Sequence, residues 1–229
     1  MSVIVAVRDD QDIVMACDGR VLGEDSRVMA DDALKTLALN ADLCLGLAGH
    51  TGAIRQVLAS LGLKCRGTHP IDLLRSCQEV SCPVDVGYAD ARSELTGLLR
   101  WMHRRGRSSR SPRIPAVVLA GRWKDEPALC GWQDPDPVWV IDQAPLSGYS
   151  EAVVGSLPQE GTSALDTFRG LIRGERSTDE AEPRLTRAVR FCARYFGATG
   201  PVSETVFLRR LSRGFALSRA EAEGATPLR

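Results

Sequence analysis

Ser2 stands directly before the apolar stretch V-I-V-A-V, which is typical of a β-strand. Initiator methionine is normally removed when a small residue follows it, so we expect the mature chain to begin at Ser2. That residue would carry a hydroxyl nucleophile and a free α-amine on the same few atoms. A serine hydroxyl is weak unless a base lies beside it, and an α-amine with an ordinary pKa of about 8 can be that base. This stretch therefore predicts nucleophilic catalysis that needs no histidine.

Such a nucleophile also needs a cation, a carboxylate and a site for the oxyanion. Lys35 begins a predicted strand of the same cluster, and a lysine beside the amine favours its neutral form by like-charge repulsion. Asp18 ends the strand that pairs with the first one, so it can orient this lysine. Gly49, in A-G-H-T-G between a predicted strand and a helix, can donate a backbone N–H to the oxyanion. Each residue alone fits a turn or a surface position; their combination is far more specific.

The elements that position these residues follow from periodicity and turn signals. The predicted strands are 3–7, 13–18, 27–30, 34–39, 43–47, 116–122, 127–132, 138–142, 150–155 and 202–208. Helical spacing predicts a helix over 51–61 and a second helical region over 71–102, interrupted at Pro83. Residues 103–113, H-R-R-G-R-S-S-R-S-P-R, are predicted to be a solvated loop. Two later helices carry apolar faces made by Leu165, Phe168, Leu171 and Ile172, and by Leu185, Val189, Cys192 and Phe196.

The order of elements is strands, two helices, strands, two helices and a strand. Helices that come in pairs between groups of strands fit an α+β fold, a four-layer αββα sandwich. A doubly wound sheet would need strand and helix to alternate one for one. We expect a single domain over residues 1–229, with a tail that frays beyond about residue 218.

Composition excludes several classes of function. The 229 residues carry 29 basic and 29 acidic side chains, so bulk attraction to nucleic acid or to an anionic membrane is not expected. The apolar runs are far shorter than a membrane span, and Arg8, Asp9 and Asp10 interrupt any signal-peptide core, so we expect a cytoplasmic location. The seven cysteines include no C-x-x-C pair and the three histidines complete no zinc pattern. Most of the cysteines are expected to be reduced and structural.

The chain resembles the proteasome β-type family of N-terminal nucleophile (Ntn) hydrolases, and within that family it looks closest to the bacterial HslV peptidases. The matching stretches are S-V-I-V-A-V, I-V-M-A-C-D-G-R-V-L-G, V-M-A-D-D-A-L-K and L-G-L-A-G-H-T-G. The resemblance is dense over residues 2–61, only architectural over 114–208 and absent over 64–113.

The resemblance implies a set of site residues. The family's N-terminal threonine, aspartate, lysine, oxyanion glycine and amine-holding serine fall on Ser2, Asp18, Lys35, Gly49 and Ser156. No cofactor is required, although three backbone carbonyls of the peptidase relatives bind a cation. A monovalent or divalent cation is therefore allowed here, and its ligands would be the carbonyls of Ala193, Phe196 and Thr199.

Three positions depart from the family pattern. Serine replaces threonine at residue 2, so the methyl group that restricts the nucleophile's rotamer is missing. The pattern G-S-G has become G-S-L-P at residues 155–158, and R-D before the last strand has become Arg194-Tyr195. The change to Arg194-Tyr195 puts the third acidic support of the site in doubt.

The predicted function is that of an N-terminal serine hydrolase, an HslV-like peptidase subunit that cleaves peptide or other amide bonds. The expected partners are further copies of the chain in a homo-oligomeric ring, a peptide or unfolded protein substrate and an unfolding ATPase. Helices over 51–61 and 84–102, the second with Trp101 and Met102, are the candidate ring contacts. Two alternatives stay open, a non-catalytic structural subunit of a proteasome-like ring and a small-molecule amidase of the Ntn superfamily.

Overall fold

The computed structural model describes residues 2–23, 26–63, 85–106, 114–133, 149–173 and 180–211. The strands in these ranges are β1 (Val3–Arg8), β2 (Ile13–Asp18), β3 (Val21–Leu22), β4 (Val28–Ala30), β5 (Thr36–Asn40), β6 (Leu43–Ala48), β7 (Ala116–Trp123), β8 (Glu126–Trp132), β9 (Ser150–Gly155) and β10 (Val206–Leu211). The helices are α1 (Thr51–Ser60), α2 (Tyr88–Gly106), α3 (Ser163–Arg173) and α4 (Ala181–Phe196).

Two antiparallel sheets of four strands contain most of these strands. The first sheet has the order β10-β2-β1-β9, so the strand that follows Ser2 is a central one. The second sheet has the order β5-β6-β7-β8, and β3 and β4 form a separate two-stranded ribbon. In the first sheet Val3 lies opposite Gly155, and Asp18 lies opposite Val206. These registers bring Gly155, Asp18 and Val206 to the Ser2 end of β1.

Strand β1 is apolar from Val3 to Val7 because both of its faces are buried. Val3, Val5 and Val7 belong to one apolar cluster with residues of α3 and α4. Ile4 and Ala6, on the opposite face, cluster with residues of the second sheet. The second sheet contributes a third cluster with α1 and α2. The start of β1 is thereby fixed from both sides.

Most of the predicted elements are confirmed, and their class is α+β. The predictions for 138–142 and for 71–84 with Pro83 lie outside the described residues. The short strand β3 was not predicted, and the predicted loop at 103–113 is wrong in its first part, because α2 continues to Gly106.

Two strand boundaries also differ from the prediction. The last strand begins at Val206 rather than at 202, because Val206 pairs with Asp18, the last residue of β2, and earlier residues have no strand beside them. Lys35 lies just before β5 rather than at its start, since the strand begins at Thr36. Lys35 therefore follows a segment that is not part of a strand. Contacts other than strand pairing must fix the position of this segment.

Candidate active site

Asp18, at the end of β2, is fully buried and accepts four hydrogen bonds. Its Oδ1 accepts from the amide of Val3 at 2.9 Å. Its Oδ2 accepts from Lys35 Nζ and from the amide of Arg20, both at 2.9 Å, and from the amide of Ser203 at 3.4 Å. A carboxylate with this many donors stays in place and stays a strong acceptor in a site that excludes water.

Lys35 bridges Asp18 and Ser2. Its side chain is 4% exposed, and its ammonium donates to Asp18 Oδ2 at 2.9 Å and to Ser2 Oγ at 2.5 Å. The carbonyl of Lys35 accepts from the amide of Leu47 in β6 at 2.9 Å, which ties the lysine to the second sheet. A charged donor thus lies directly on the serine hydroxyl.

Ser2 is buried, and its backbone is held by the loop that follows β9. The Ser2 carbonyl accepts from the amide of Ser156 at 2.7 Å. Gly155 has φ of 107°, and a Cβ atom there would lie 1.7 Å from the Ser2 carbonyl oxygen, so only glycine allows this approach. The side chain of Gln133 holds Gly155 in turn, accepting from its amide at 2.7 Å and donating to its carbonyl at 3.2 Å.

Ser156 lies beside the Ser2 backbone through its amide, but its hydroxyl has no hydrogen-bond partner among the described residues. The oxygen is buried, and an unpartnered buried hydroxyl carries a desolvation cost. Its predicted role, holding the α-amine of Ser2, stays a prediction. The Ser156 hydroxyl can therefore form a hydrogen bond with a group other than the described residues.

Gly49 lies immediately after β6 and before α1, as predicted. Its φ is 137°, a conformation that favours glycine, and a Cβ there would lie 3.0 Å from Pro115 Cα. His50 caps α1 by accepting from the amide of Gly52 at 3.2 Å. Gly49 is exposed and lies two residues beyond Leu47, whose amide bonds to Lys35. The structure thus connects Gly49 to the site through β6, and its role toward an oxyanion stays a prediction.

Three contributors to this site were not predicted: Arg20, Gln133 and Ser203. Arg20 is part of the matching stretch C-D-G-R, so the sequence contained a signal for it. Ser203 reaches the site only because β10 pairs with β2, and it accepts from the amide of Gly19 at 3.1 Å. Gln133 follows β8 and carries no pattern that could have identified it.

The altered R-D position lies apart from these contacts. Tyr195 is 44% exposed and packs edge-on against Phe196 at 5.1 Å between ring centroids. Arg194 pairs with Glu204 at 3.6 Å, with both side chains largely exposed. The tyrosine side chain carries no carboxylate, so the third acidic support stays in doubt.

The carbonyl groups predicted to bind a cation lie at the end of α4. The carbonyl of Ala193 accepts from the amide of Gly197 at 3.0 Å, and a Cβ at Gly200 would lie 2.6 Å from the carbonyl oxygen of Phe196. Carbonyl oxygens, including that of Thr199, are the donor type that hard cations take, so the residues fit such an ion in donor type. Among the described residues, no group of three or more His, Cys, Asp or Glu side chains is placed to hold a metal.

The buried thiols of the described part are not candidates for the nucleophile. Burial raises the pKa of Cys17, next to Asp18, to about 12, and it does the same for Cys130 and Cys192. For Cys44 burial raises the pKa to about 11. All four are free and buried, as expected of reduced structural cysteines.

No protein-family model matches the sequence, and no curated protein sequence does. The solved structures include a clear counterpart, the eukaryotic HslV from Trypanosoma brucei. The two are 15% identical, with a TM-score of 0.56, over 92% of this chain and 99% of that chain. The fold is that of HslV. The predicted α+β class is therefore confirmed, while the four-layer αββα order and a closest relationship to HslV in sequence stay predictions. None of the described helices is long and apolar enough to cross a bilayer.

Proposed function

We propose that this chain is a subunit of a proteasome-like peptidase, a four-layer αββα sandwich that hydrolyses peptide or other amide bonds with Ser2 as its nucleophile. The proposal depends on Lys35 Nζ, which donates both to Ser2 Oγ at 2.5 Å and to Asp18 Oδ2 at 2.9 Å. A buried ion pair is seldom more stabilising than apolar residues of the same volume. A pair of this kind aimed at a serine hydroxyl therefore supports a chemical role.

In this mechanism Ser2 Oγ attacks the carbonyl carbon of the substrate amide. The α-amine of Ser2, free once Met1 is removed, takes the hydroxyl proton. Lys35 donates to Oγ and stabilises the negative charge that develops there, and Asp18 keeps Lys35 in place. The Gly49 N–H donates to the oxyanion of the tetrahedral intermediate.

The amine then returns the proton to the leaving nitrogen, the C–N bond breaks, and an ester of Ser2 remains. Water hydrolyses this ester with the same amine as the base. Ser156 Oγ, which lacks a partner among the described residues, anchors the amine. A monovalent or divalent cation held by the carbonyls of Ala193, Phe196 and Thr199 would stiffen the turn after α4.

The partners of this peptidase follow from the same proposal. Copies of the chain form a ring in the cytoplasm that encloses the Ser2 sites, takes peptides or unfolded proteins and works with an unfolding ATPase. Trp101 on α2 is 44% exposed, with Arg105 stacked on its ring at 4.7 Å, and so can contact a neighbour. Met102 cannot, because it is buried in the core of its own chain, so its predicted role at the interface is wrong.

A non-catalytic ring subunit is the second candidate. The exposed Tyr195 at the position of an expected acid favours it. A retained Met1 would block the amine and favour it further. The intact mass of the purified protein distinguishes a chain that begins at Ser2 from one that keeps Met1.

The catalytic proposal is tested with fluorogenic peptide amides on the wild type and on Ser2→Ala, Ser2→Thr and Ser60→Ala. Ser2→Ala should abolish turnover, because the nucleophile is lost while a small residue still follows Met1. Ser2→Thr should retain activity, since it keeps the hydroxyl. Ser60→Ala, at the end of α1, is the matched control and should equal the wild type, because its hydroxyl donates to the carbonyl of Val57 and to no other group among the described residues. Equal turnover by wild type and Ser2→Ala would refute the mechanism.

A further inference from the structure

The side chain of Arg20 makes four hydrogen bonds. Its Nε and Nη2 donate to the carboxylate of Asp31 at 2.6 and 3.1 Å. Its Nη1 donates to the carbonyls of Ala198 and Gly200 at 2.6 and 2.9 Å. The side chain is only 9% exposed. A planar guanidinium engaged on three nitrogens holds these groups at fixed spacing, which the single nitrogen of a lysine cannot reproduce.

The two segments that Arg20 joins both lead into the candidate site. Asp31 lies four residues before Lys35, in the non-strand segment that precedes β5. This segment is also tied to the β2 end by the amide of Ala33, which donates to the carbonyl of Gly19 at 2.9 Å. A Cβ at Gly19 would lie 2.2 Å from the Asp31 carbonyl oxygen, so the close approach depends on glycine.

The other segment, which follows α4, leads from Ala198 and Gly200 to Ser203. The amide of Ser203 donates to Asp18 Oδ2 at 3.4 Å, and the Ser203 hydroxyl accepts from the amide of Gly19 at 3.1 Å. Helix α4 ends at Phe196 and β10 begins at Val206, so neither element fixes this turn. The guanidinium of Arg20 is therefore a main tie between the turn and the strand end that carries Asp18.

We propose that Arg20 is a positioning residue, which sets the placement of Lys35 and Asp18 by clamping the segment before β5 and the turn after α4 against the end of β2. This inference rests on the proposed function for its catalytic consequence. Arg20 reaches Asp18 directly through its own amide, at 2.9 Å from Oδ2. The clamp thus acts on both members of the ion pair that lies on Ser2 Oγ.

The first test compares peptide hydrolysis by Arg20→Ala, Arg20→Lys and the control Arg173→Ala with that of the wild type. Arg20→Ala should lower kcat by about ten- to a hundred-fold with little change in KM, because a small displacement of catalytic groups slows the chemical step. Arg20→Lys should not restore the rate, while millimolar guanidinium chloride should restore part of it in Arg20→Ala, unlike sodium chloride at equal ionic strength. Arg173→Ala loses an exposed pair with Glu151 and should be unaffected.

The second test does not depend on activity. Amide hydrogen exchange of Arg20→Ala should be faster in peptides covering 197–205 and 30–36, unchanged over β7 and β8, and slowed again by guanidinium. If Arg20→Ala speeds exchange over the whole chain, the experiment is repeated with Asp31→Ala. That variant removes two of the four hydrogen bonds of the Arg20 side chain, so it should speed amide exchange only in the 30–36 peptide.

Unchanged exchange in these peptides, or an Arg20→Lys variant with full activity, would overturn the clamp. A wild type that hydrolyses no peptide, combined with the predicted exchange pattern, would leave the clamp standing and reject the proposed function instead.

Discussion

The buried ion pair predicts that the loss of Asp18 destabilises the protein more than the loss of Lys35. The perturbations are Asp18→Asn and Lys35→Met, each close in shape to the residue it replaces. In Lys35→Met the carboxylate keeps three backbone donors, the amides of Val3, Arg20 and Ser203. In Asp18→Asn the Lys35 side chain, only 4% exposed, loses its counter-ion and keeps neutral acceptors alone, Ser2 Oγ and an amide oxygen, among the described residues.

The magnitudes follow from these partners. Lys35→Met removes the hydrogen bond to Ser2 Oγ and the hydrogen bond between charged groups to Asp18. The second is the larger loss and costs about 1.5–3 kcal/mol of unfolding free energy. Asp18→Asn leaves a buried charge without its counter-ion and turns an amide NH₂ toward backbone donors, which costs about 3–5 kcal/mol. The double variant buries no unpaired charge, so its cost should fall below the sum of the two by roughly 2 kcal/mol.

The assay is urea unfolding at one protein concentration, followed by tryptophan fluorescence, to which the buried Trp132 contributes. With a slope of about 2–3 kcal/mol per molar urea, the midpoint of Asp18→Asn should lie roughly 1 M below that of Lys35→Met. Arg173→Met, which breaks an exposed pair with Glu151, is the control and should cost less than about 1 kcal/mol. A Lys35→Met variant that is as unstable as Asp18→Asn would show that the backbone amides do not compensate the carboxylate, and would refute this reasoning.

Two further predictions concern the surroundings of the site. Gly155→Ala should destabilise the protein by more than about 2 kcal/mol in the same urea assay, because it combines an unfavourable φ with a Cβ placed 1.7 Å from the Ser2 carbonyl oxygen. The control is Gly170→Ala, which should not destabilise the protein, because a Cβ there meets nothing within 4 Å. The four buried cysteines should resist iodoacetamide in the folded protein at pH 8 and react in urea, since pKa values of about 11 to 12 leave almost no thiolate; peptide mass mapping that finds Cys17 modified without denaturant would contradict its burial.

Local patterns in the sequence were enough to predict Asp18 and Lys35, the ion pair that lies beside Ser2. The alternation of strands and turns, which is a property of neighbouring residues, located β1, β2 and β6 to within a residue. Asp18 and Lys35 were identified because each lies at the end of such a run or next to one. The unusual backbone of Gly49 was also foreseeable, since a strand that turns sharply into a helix favours glycine there.

Contacts between distant segments were decided only by the tertiary structure. Ser203 lies 185 residues from Asp18 along the chain, and no pattern in S-E-T distinguishes it from a surface serine. Its position depends on the pairing of β10 with β2, which also shifted the predicted start of the last strand. The orientation of Arg20, toward two carbonyls near residue 200, depends on the same pairing. Hydrogen bonds of this kind form between groups that are distant in sequence and meet only in the folded chain. The periodicity of neighbouring residues therefore cannot predict them.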